Sequence, residues 1–221
     1  MNFPSEILNI EHVLFSQYGD LKWWPANTPD EVLIGAILTQ NTSWKNVEKA
    51  IDNLASEHLL DLGSLSNASR EKISTLIKPS GFYNQKTERL LGISRKIYTE
   101  FDSLHNLSRQ GMQFCIDYLG QMKGIGRETM DSILLYAMDF PRFVIDKYTI
   151  RFMTRYGLFQ NSIDIEKLES IPDILNHDIW RLKNFHALIV ELSKNFCRSE
   201  PLCENCILNK NCKYYKDKSV P

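Results

Sequence analysis

Cys197, Cys203, Cys206 and Cys212 stand within sixteen positions near the C-terminus, separated by five, two and five residues. Thiolates are soft ligands, and four of them on one loop can wrap a single metal centre, either a tetrahedral zinc or a cubane iron–sulfur cluster. Two disulfides would use the same residues. Against them, the N-terminal stretch has a helical rhythm and carries Glu6 and Glu11, unlike a signal peptide, and a chain of 221 residues is too large to need staples. A metal centre is therefore expected, with zinc and iron–sulfur both open on spacing alone.

A second chemical segment is Lys123-Gly124-Ile125-Gly126-Arg127, set between two helical patterns. Two glycines straddling Ile125 allow a sharp turn and leave backbone N–H groups free at the start of the next helix, where a phosphate oxygen can be held. A plain helix–helix turn would use the same glycines; Lys123 and Arg127 on either side tilt the reading toward phosphate. About twenty residues on, Asp146 follows the apolar run Phe143-Val144-Ile145 and opens another helix. An aspartate there is an N-cap, which does not prevent it from doing chemistry as well.

These segments must be positioned by helices. Strand-like alternation is almost absent, and apolar residues recur at three and four, as in Ile34, Ile37 and Leu38, in Ile133, Leu134 and Ala137, and in Leu188, Leu192 and Phe196. Thr28-Pro29-Asp30-Glu31 reads as a capping box with proline at the first helical position. Asn41-Thr42-Ser43 interrupts that helix and caps another from Trp44 to about Leu54, and further helices are expected over 69–77, 84–101, 108–121, 127–139, 146–156, 164–170 and 178–195. The fold class is all-α. No apolar run approaches the roughly 20 residues of a membrane span, so a soluble, cytoplasmic monomer is expected. A formal net charge of −1 argues against a non-specific nucleic-acid coat, yet residues 181–221 carry eight Lys or Arg against four Asp or Glu, an excess of four compatible with docking on phosphates.

Taken together, the glycine hairpin, the Val-Ile-Asp segment and the four-cysteine loop resemble the endonuclease III superfamily of helix-hairpin-helix DNA glycosylases, from Trp23 to Cys212. Leu38-Thr39-Gln40-Asn41-Thr42 resembles the family's glutamine turn, and Gly81-Phe82-Tyr83-Asn84-Gln85-Lys86 its Gly-aromatic-Tyr-Asn-x-Lys segment. One departure is the first cysteine gap, five residues where the best-known members have six. The resemblance implies a 4Fe–4S cluster on the four cysteines, with zinc as the alternative. It also implies double-stranded DNA with a damaged base as partner, and two helical domains flanking a DNA-binding cleft. Residues 22–130 would form a helical barrel ending in the helix-hairpin-helix, and 1–21 plus 131–221 a cluster domain.

A base in a duplex has to be flipped out before it can be cut, and the gap refilled. The resemblance gives the refilling to Gln40 and the DNA grip to Lys123, Gly124, Ile125, Gly126 and Arg127. Asp146 falls on the motif aspartate, a carboxylate able to stabilise oxocarbenium character on the sugar or to activate a water. Bifunctional members carry a Schiff-base lysine one place after the hairpin's arginine. Glu128 stands there, and a glutamate cannot form an imine, so a monofunctional glycosylase is expected, with Lys147 only a remote substitute. Trp23, Trp24, Pro25, Trp44 and Glu128 are expected to line the base pocket. Tryptophans are mostly core residues, but aromatic walls suit a flipped purine, above all a cationic one. With Asp146-Lys147-Tyr148, these pieces resemble the family's 3-methyladenine branch. The alternatives are a bifunctional or mismatch-specific glycosylase for oxidised pyrimidines or mispaired thymine, and a zinc-bearing DNA-binding module without chemistry. Cys115 and most histidines read as bland; His186, on the C-terminal helix, is the one that could face the site.

Overall fold

The computed structural model describes residues 2–159 and 164–219. Among them no strand occurs, in keeping with the all-α expectation. The helices are α1 (Phe3–Tyr18), α2 (Pro29–Leu38), α3 (Trp44–Ser56), α4 (Leu62–Asn67), α5 (Arg70–Leu76), α6 (Tyr83–Phe101), α7 (Leu104–Ser108), α8 (Met112–Gly120), α9 (Arg127–Ser132), α10 (Lys147–Tyr156), α11 (Ile165–Glu169), α12 (Ile171–Ile174), α13 (Ile179–Asn195) and α14 (Lys213–Ser219). A π-helical turn, Ile133–Ala137, continues α9. No described helix is long and apolar enough to cross a membrane.

Contacts divide the chain into two compact units, Met1–Trp23 with Pro141–Pro221, and Trp24–Phe140. In the second unit, α2 is the central helix. Its capping box forms, with Thr28 Oγ1 accepting from the Glu31 N–H at 3.2 Å and Glu31 Oε2 accepting from the Thr28 N–H at 3.3 Å. Leu33, Ile34, Ile37 and Leu38 are fully buried, packed in one core with Val47, Ala50 and Leu54 of α3, Leu90 and Ile97 of α6, Leu119 of α8 and Ile133 and Leu134 of the π-helical turn. Each Val, Leu or Ile side chain among them contributes about 1.5–3 kcal/mol by leaving water. The unit ends at Phe140, ten residues beyond the expected boundary at 130, because the helix begun at Arg127 runs on through the π-helical turn onto α2. The helix expected over 108–121 is α8, which starts only at Met112, after Gly111, whose φ of +92° a helix cannot contain; α7, before it, was not expected.

In the first unit, α1 packs Ile7, Ile10 and Leu14 against α13, which buries Leu182, Phe185, Leu188, Ile189 and Leu192. Arg181 of α13 donates Nε to Glu11 Oε1 of α1 at 2.7 Å. On its other side α13 meets α10, the helix that Asp146 opens, and α10 also meets α14.

Candidate functional site

Asp146 caps α10 as expected: its Oδ1 accepts from the Thr149 N–H at 2.7 Å, and its side chain is buried. Its other oxygen lies 3.6 Å from Nε2 of His186, a buried residue of α13 in the same unit. Burial pushes the Asp146 carboxyl up. The His186 imidazole, then the Thr149 N–H and hydroxyl, outweigh burial and hold it below the usual carboxylate range. Asp146 is thus a buried carboxylate kept ionised by its neighbours. Lys147 is exposed, with its ammonium 5.3 Å from the Tyr148 ring. Lys194 of α13 senses Asp146 electrostatically and lies with its ammonium 4.3 Å from the centre of the Trp23 ring; burial lowers its pKa by more than Glu191 and Asp146 raise it. His186 and Lys194 lie 40 and 48 positions beyond Asp146, and only the packing of α10 on α13 brings them to it.

The hairpin turns as its glycines require. Gly124 has φ +90°, and Gly126 caps α9 in an extended conformation. Lys123, Gly126, Arg127 and Glu128 are exposed while Ile125 is buried beneath them. Arg127 Nε also reaches Asp131 Oδ2 at 3.4 Å. Gln40 is half-buried, and its amide is engaged: Nε2 donates to Gly124 O at 3.0 Å and to Thr129 Oγ1 at 2.9 Å, while Oε1 accepts from Arg89 Nη1.

The tandem tryptophans do not share partners. Trp24 meets Trp44 edge-on at 6.0 Å and Tyr136 at 5.0 Å, and lies across Gly35, where an added Cβ would come within 3.5 Å of its ring. Trp24 and Trp44 are half-buried, packed on the core of their unit, whereas Pro25 is exposed. Trp23, in the other unit, has Lys194 over its face.

The Gly81–Lys86 segment, singled out by resemblance without a role, holds two unexpected arrangements. Phe82 is 65% exposed with a left-handed φ of +45°, at the cap of α6. Lys86, one turn on, is buried, and its ammonium donates to Leu38 O at 2.8 Å and Ser80 O at 2.7 Å. One amine thus ties the start of the Gln40 turn to the loop carrying Phe82. The segment was visible in the sequence, but the left-handed Phe82 and the inward turn of Lys86 depend on backbone angles and packing that residue types do not disclose.

Cys197, Cys203, Cys206 and Cys212 line a common hollow of about 380 Å³, counting space open to solvent, walled by Phe152, Tyr156, Leu192 and Leu208 among others. Among the described residues, no group of three His, Cys, Asp or Glu side chains is arranged to hold one metal ion. Burial, with the neighbouring cysteines adding to it, pushes Cys206 up to about 11 and raises Cys203 as well. Such a set binds as thiolates only when metal charge offsets their repulsion. Arg155 braces the loop, donating Nη2 to Ser199 O at 2.9 Å and lying 3.6 Å from Cys197 Sγ.

Residues 34–173 match the family described as HhH-GPD superfamily base excision DNA repair protein. A Methanocaldococcus jannaschii protein, provisionally named a DNA repair glycosylase, is 42% identical over 209 residues, spanning 93% of this chain and 95% of that one. Endonuclease III of Thermotoga maritima is 30% identical over 194 residues, spanning 85% and 84%. Among solved structures, the H. pylori 3-methyladenine DNA glycosylase bound to 1,N6-ethenoadenine superposes with a TM-score of 0.73 at 29% identity, covering 88% of this chain and 98% of that one. With an all-helical fold, a glycine hairpin opening α9 and a buried aspartate opening α10, the chain belongs to the HhH-GPD superfamily of base excision DNA repair proteins.

Proposed function

We propose that this chain is a monofunctional DNA glycosylase that hydrolyses the N-glycosidic bond of a flipped alkylated purine, with 3-methyladenine as the type substrate. The observation that carries the reading is Asp146, buried yet held ionised by His186 and the start of α10. As the base leaves, positive charge develops on the deoxyribose, and a preorganised carboxylate stabilises it or takes a proton from the attacking water. An alkylated purine suits such a site because the base loses its positive charge on departure and needs little help from a general acid. Trp24 and Trp44 supply aromatic surface for the flipped base, beside Pro25 and Glu128 in the proposed pocket. The Trp23 face is shared with Lys194. The hairpin from Lys123 to Arg127 grips the backbone, Gln40 fills the gap, and Phe82 supplies an apolar wedge of the kind that unstacks a base step. The similarity to a 3-methyladenine DNA glycosylase bound to a modified adenine supports the purine assignment.

Cys197, Cys203, Cys206 and Cys212 would hold a 4Fe–4S cluster. Thiolates placed around a hollow suit a polynuclear cluster better than a single zinc ion. When bound, the cluster supplies metal charge and cross-linking to the loop. Arg198 and Lys210, on that loop, are exposed for contact with DNA phosphates.

Incubation with duplexes carrying single lesions, with the released base identified by mass, tests the reading. Alkylated purines are released and oxidised pyrimidines are not, strands stay intact until heated, and Asp146→Asn abolishes release while DNA binding persists. Release of oxidised pyrimidines in preference would overturn the substrate assignment. A second reading, a glycosylase with lyase activity, draws on Lys194, whose lowered pKa enriches the free amine near Asp146. Nicked strands in the unheated reaction, and a borohydride-trapped adduct lost in Lys194→Gln, would favour it.

A further inference from the structure

The Gln40 amide is expected to leave the protein for the duplex, yet in the free enzyme all three of its hydrogen bonds go to protein. Two run to the hairpin element, at Gly124 O and Thr129 Oγ1, 84 and 89 positions away. The third comes from Arg89, on α6. The carbonyl and amino ends of a glutamine amide are distinguished by their partners alone. A carbonyl acceptor at Gly124 demands the amino end, and the Arg89 guanidinium, a donor only, demands the oxygen. Arg89 and the Gly124 carbonyl, one at each end, together fix which way the amide points. Its side chain reaches Gln40 by crossing Gly124 so closely that an added Cβ there would fall 2.2 Å from Arg89 Nε and 2.5 Å from Cδ. The glycine at 124 serves the φ of +90° and the passage of Arg89 together.

We propose that Arg89 is a positioning residue for gap filling: it presets the orientation of the Gln40 amide and couples the glutamine turn to the phosphate-gripping hairpin. The proposal rests on the glycosylase reading above. Because two of the three polar partners of Gln40 belong to the hairpin element, any movement of the hairpin as it takes a phosphate is felt directly at the residue that enters the duplex. Without Arg89 the amide loses the partner that holds its oxygen, and its orientation before insertion is held from the amino end alone.

A double-variant cycle tests this with Arg89→Met, which keeps an apolar stem over Gly124, Gln40→Ala and the combination, each first checked by thermal unfolding. Each single variant should lower single-turnover base release about tenfold and add nothing to the other when combined, as expected of residues acting as one unit, and Arg89→Met should leave duplex affinity within about twofold. A 2-aminopurine placed beside the lesion should lose its insertion signal in all three. Arg89→Lys keeps charge and stem but not the planar fork, and should behave as Arg89→Met. In the free enzyme, NMR should find the Gln40 side-chain NH₂ protected from exchange, and less so in Arg89→Met. The proposal is overturned if the two effects multiply, if Arg89→Met instead weakens binding and lowers the salt slope by about one as a phosphate contact would, or if the Gln40 amide exchanges like an exposed one. A wild-type enzyme that releases no base overturns the glycosylase reading itself; an active wild type with multiplying effects overturns only the role of Arg89.

Discussion

The role proposed for Asp146 makes two requirements that pull against each other: a dry setting, which strengthens electrostatics on a developing cation, and ionisation, which dryness opposes. The resolution lies in the 3.6 Å approach of His186 and the two hydrogen-bonding groups of Thr149, which together overcome burial. Replacing His186 by Gln removes the largest of the favourable influences, so burial gains the upper hand and the Asp146 pKa rises. The acid limb of the base-release profile should then move to higher pH, while the limit at high pH stays within a few-fold. An unmoved acid limb would show that His186 does not set this ionisation. The same depressed pKa stabilises the fold above the ordinary aspartate range, near pH 3.9, and that contribution is lost as pH falls through the folded value. His186→Gln should flatten this part of the acid unfolding curve. Asp146 itself was legible in the sequence, as a cap behind an apolar run. His186 was singled out as the histidine that could face the site, but its pairing with Asp146 was not legible, because a pairing 40 positions apart depends on how α10 meets α13.

Element by element, the strongest periodic and capped segments were the readable ones. The Thr28 box starts α2 where Pro29 and Glu31 place it, and α5 and α6 run within a residue or two of their expected bounds. What could not be read was the clamping of loops between helices. Lys86 lies on the buried face of α6, where a lysine in a single sequence reads as solvated surface, and spends its ammonium on Leu38 O and Ser80 O. Burial, with the Arg89 charge adding to it, lowers its pKa to about 8, against about 10.4 in an unfolded chain. Between about pH 8 and 10.4 the unfolded chain holds more protons than the folded one, so the Lys86 contribution to stability rises with pH across that window. Denaturant unfolding of wild type and Lys86→Met over pH 7–10.5 checks this. The variant leaves two buried carbonyls unpaired, at a cost of about 1–3 kcal/mol each near neutral pH, and its deficit should widen by up to about 1.4 kcal/mol per pH unit above 8. A deficit constant with pH would rule out a titrating lysine at this clamp. Loosening of the clamp should also reach function, because the turn of Gln40 and the loop of Phe82 hang from the same amine.

On the scale of the whole molecule, each unit carries a different share of the work. The unit from Trp24 to Phe140 holds the hairpin, the glutamine turn and the Trp24–Trp44 surface; the other holds Asp146 and the four cysteines. Within that second set, α10 is the link. It begins at Asp146, and toward its other end Arg151 Nε donates to Cys197 O at 2.7 Å while the Arg155 carbonyl accepts from Cys212 Sγ at 3.4 Å. The four-cysteine loop thus rests on the same helix whose first turn holds the carboxylate. Metal removal should therefore loosen α10 and α14 first, leaving α2 and α3, which draw their burial from a separate core, as protected as before. The native protein should contain iron and acid-labile sulfide in equal amounts and absorb visible light, and Cys206→Ser should lose both. Hydrogen exchange on the iron-depleted protein should show faster opening across 147–156 and 213–219 with α2 and α3 unchanged. Base release should fall with that opening, while duplex binding through the hairpin declines less. Stoichiometric zinc in a colourless protein would remove the iron–sulfur assignment. Unaltered protection of α10 in the metal-free protein would break the proposed connection between the cysteine loop and Asp146, leaving the cluster a support for its own loop alone.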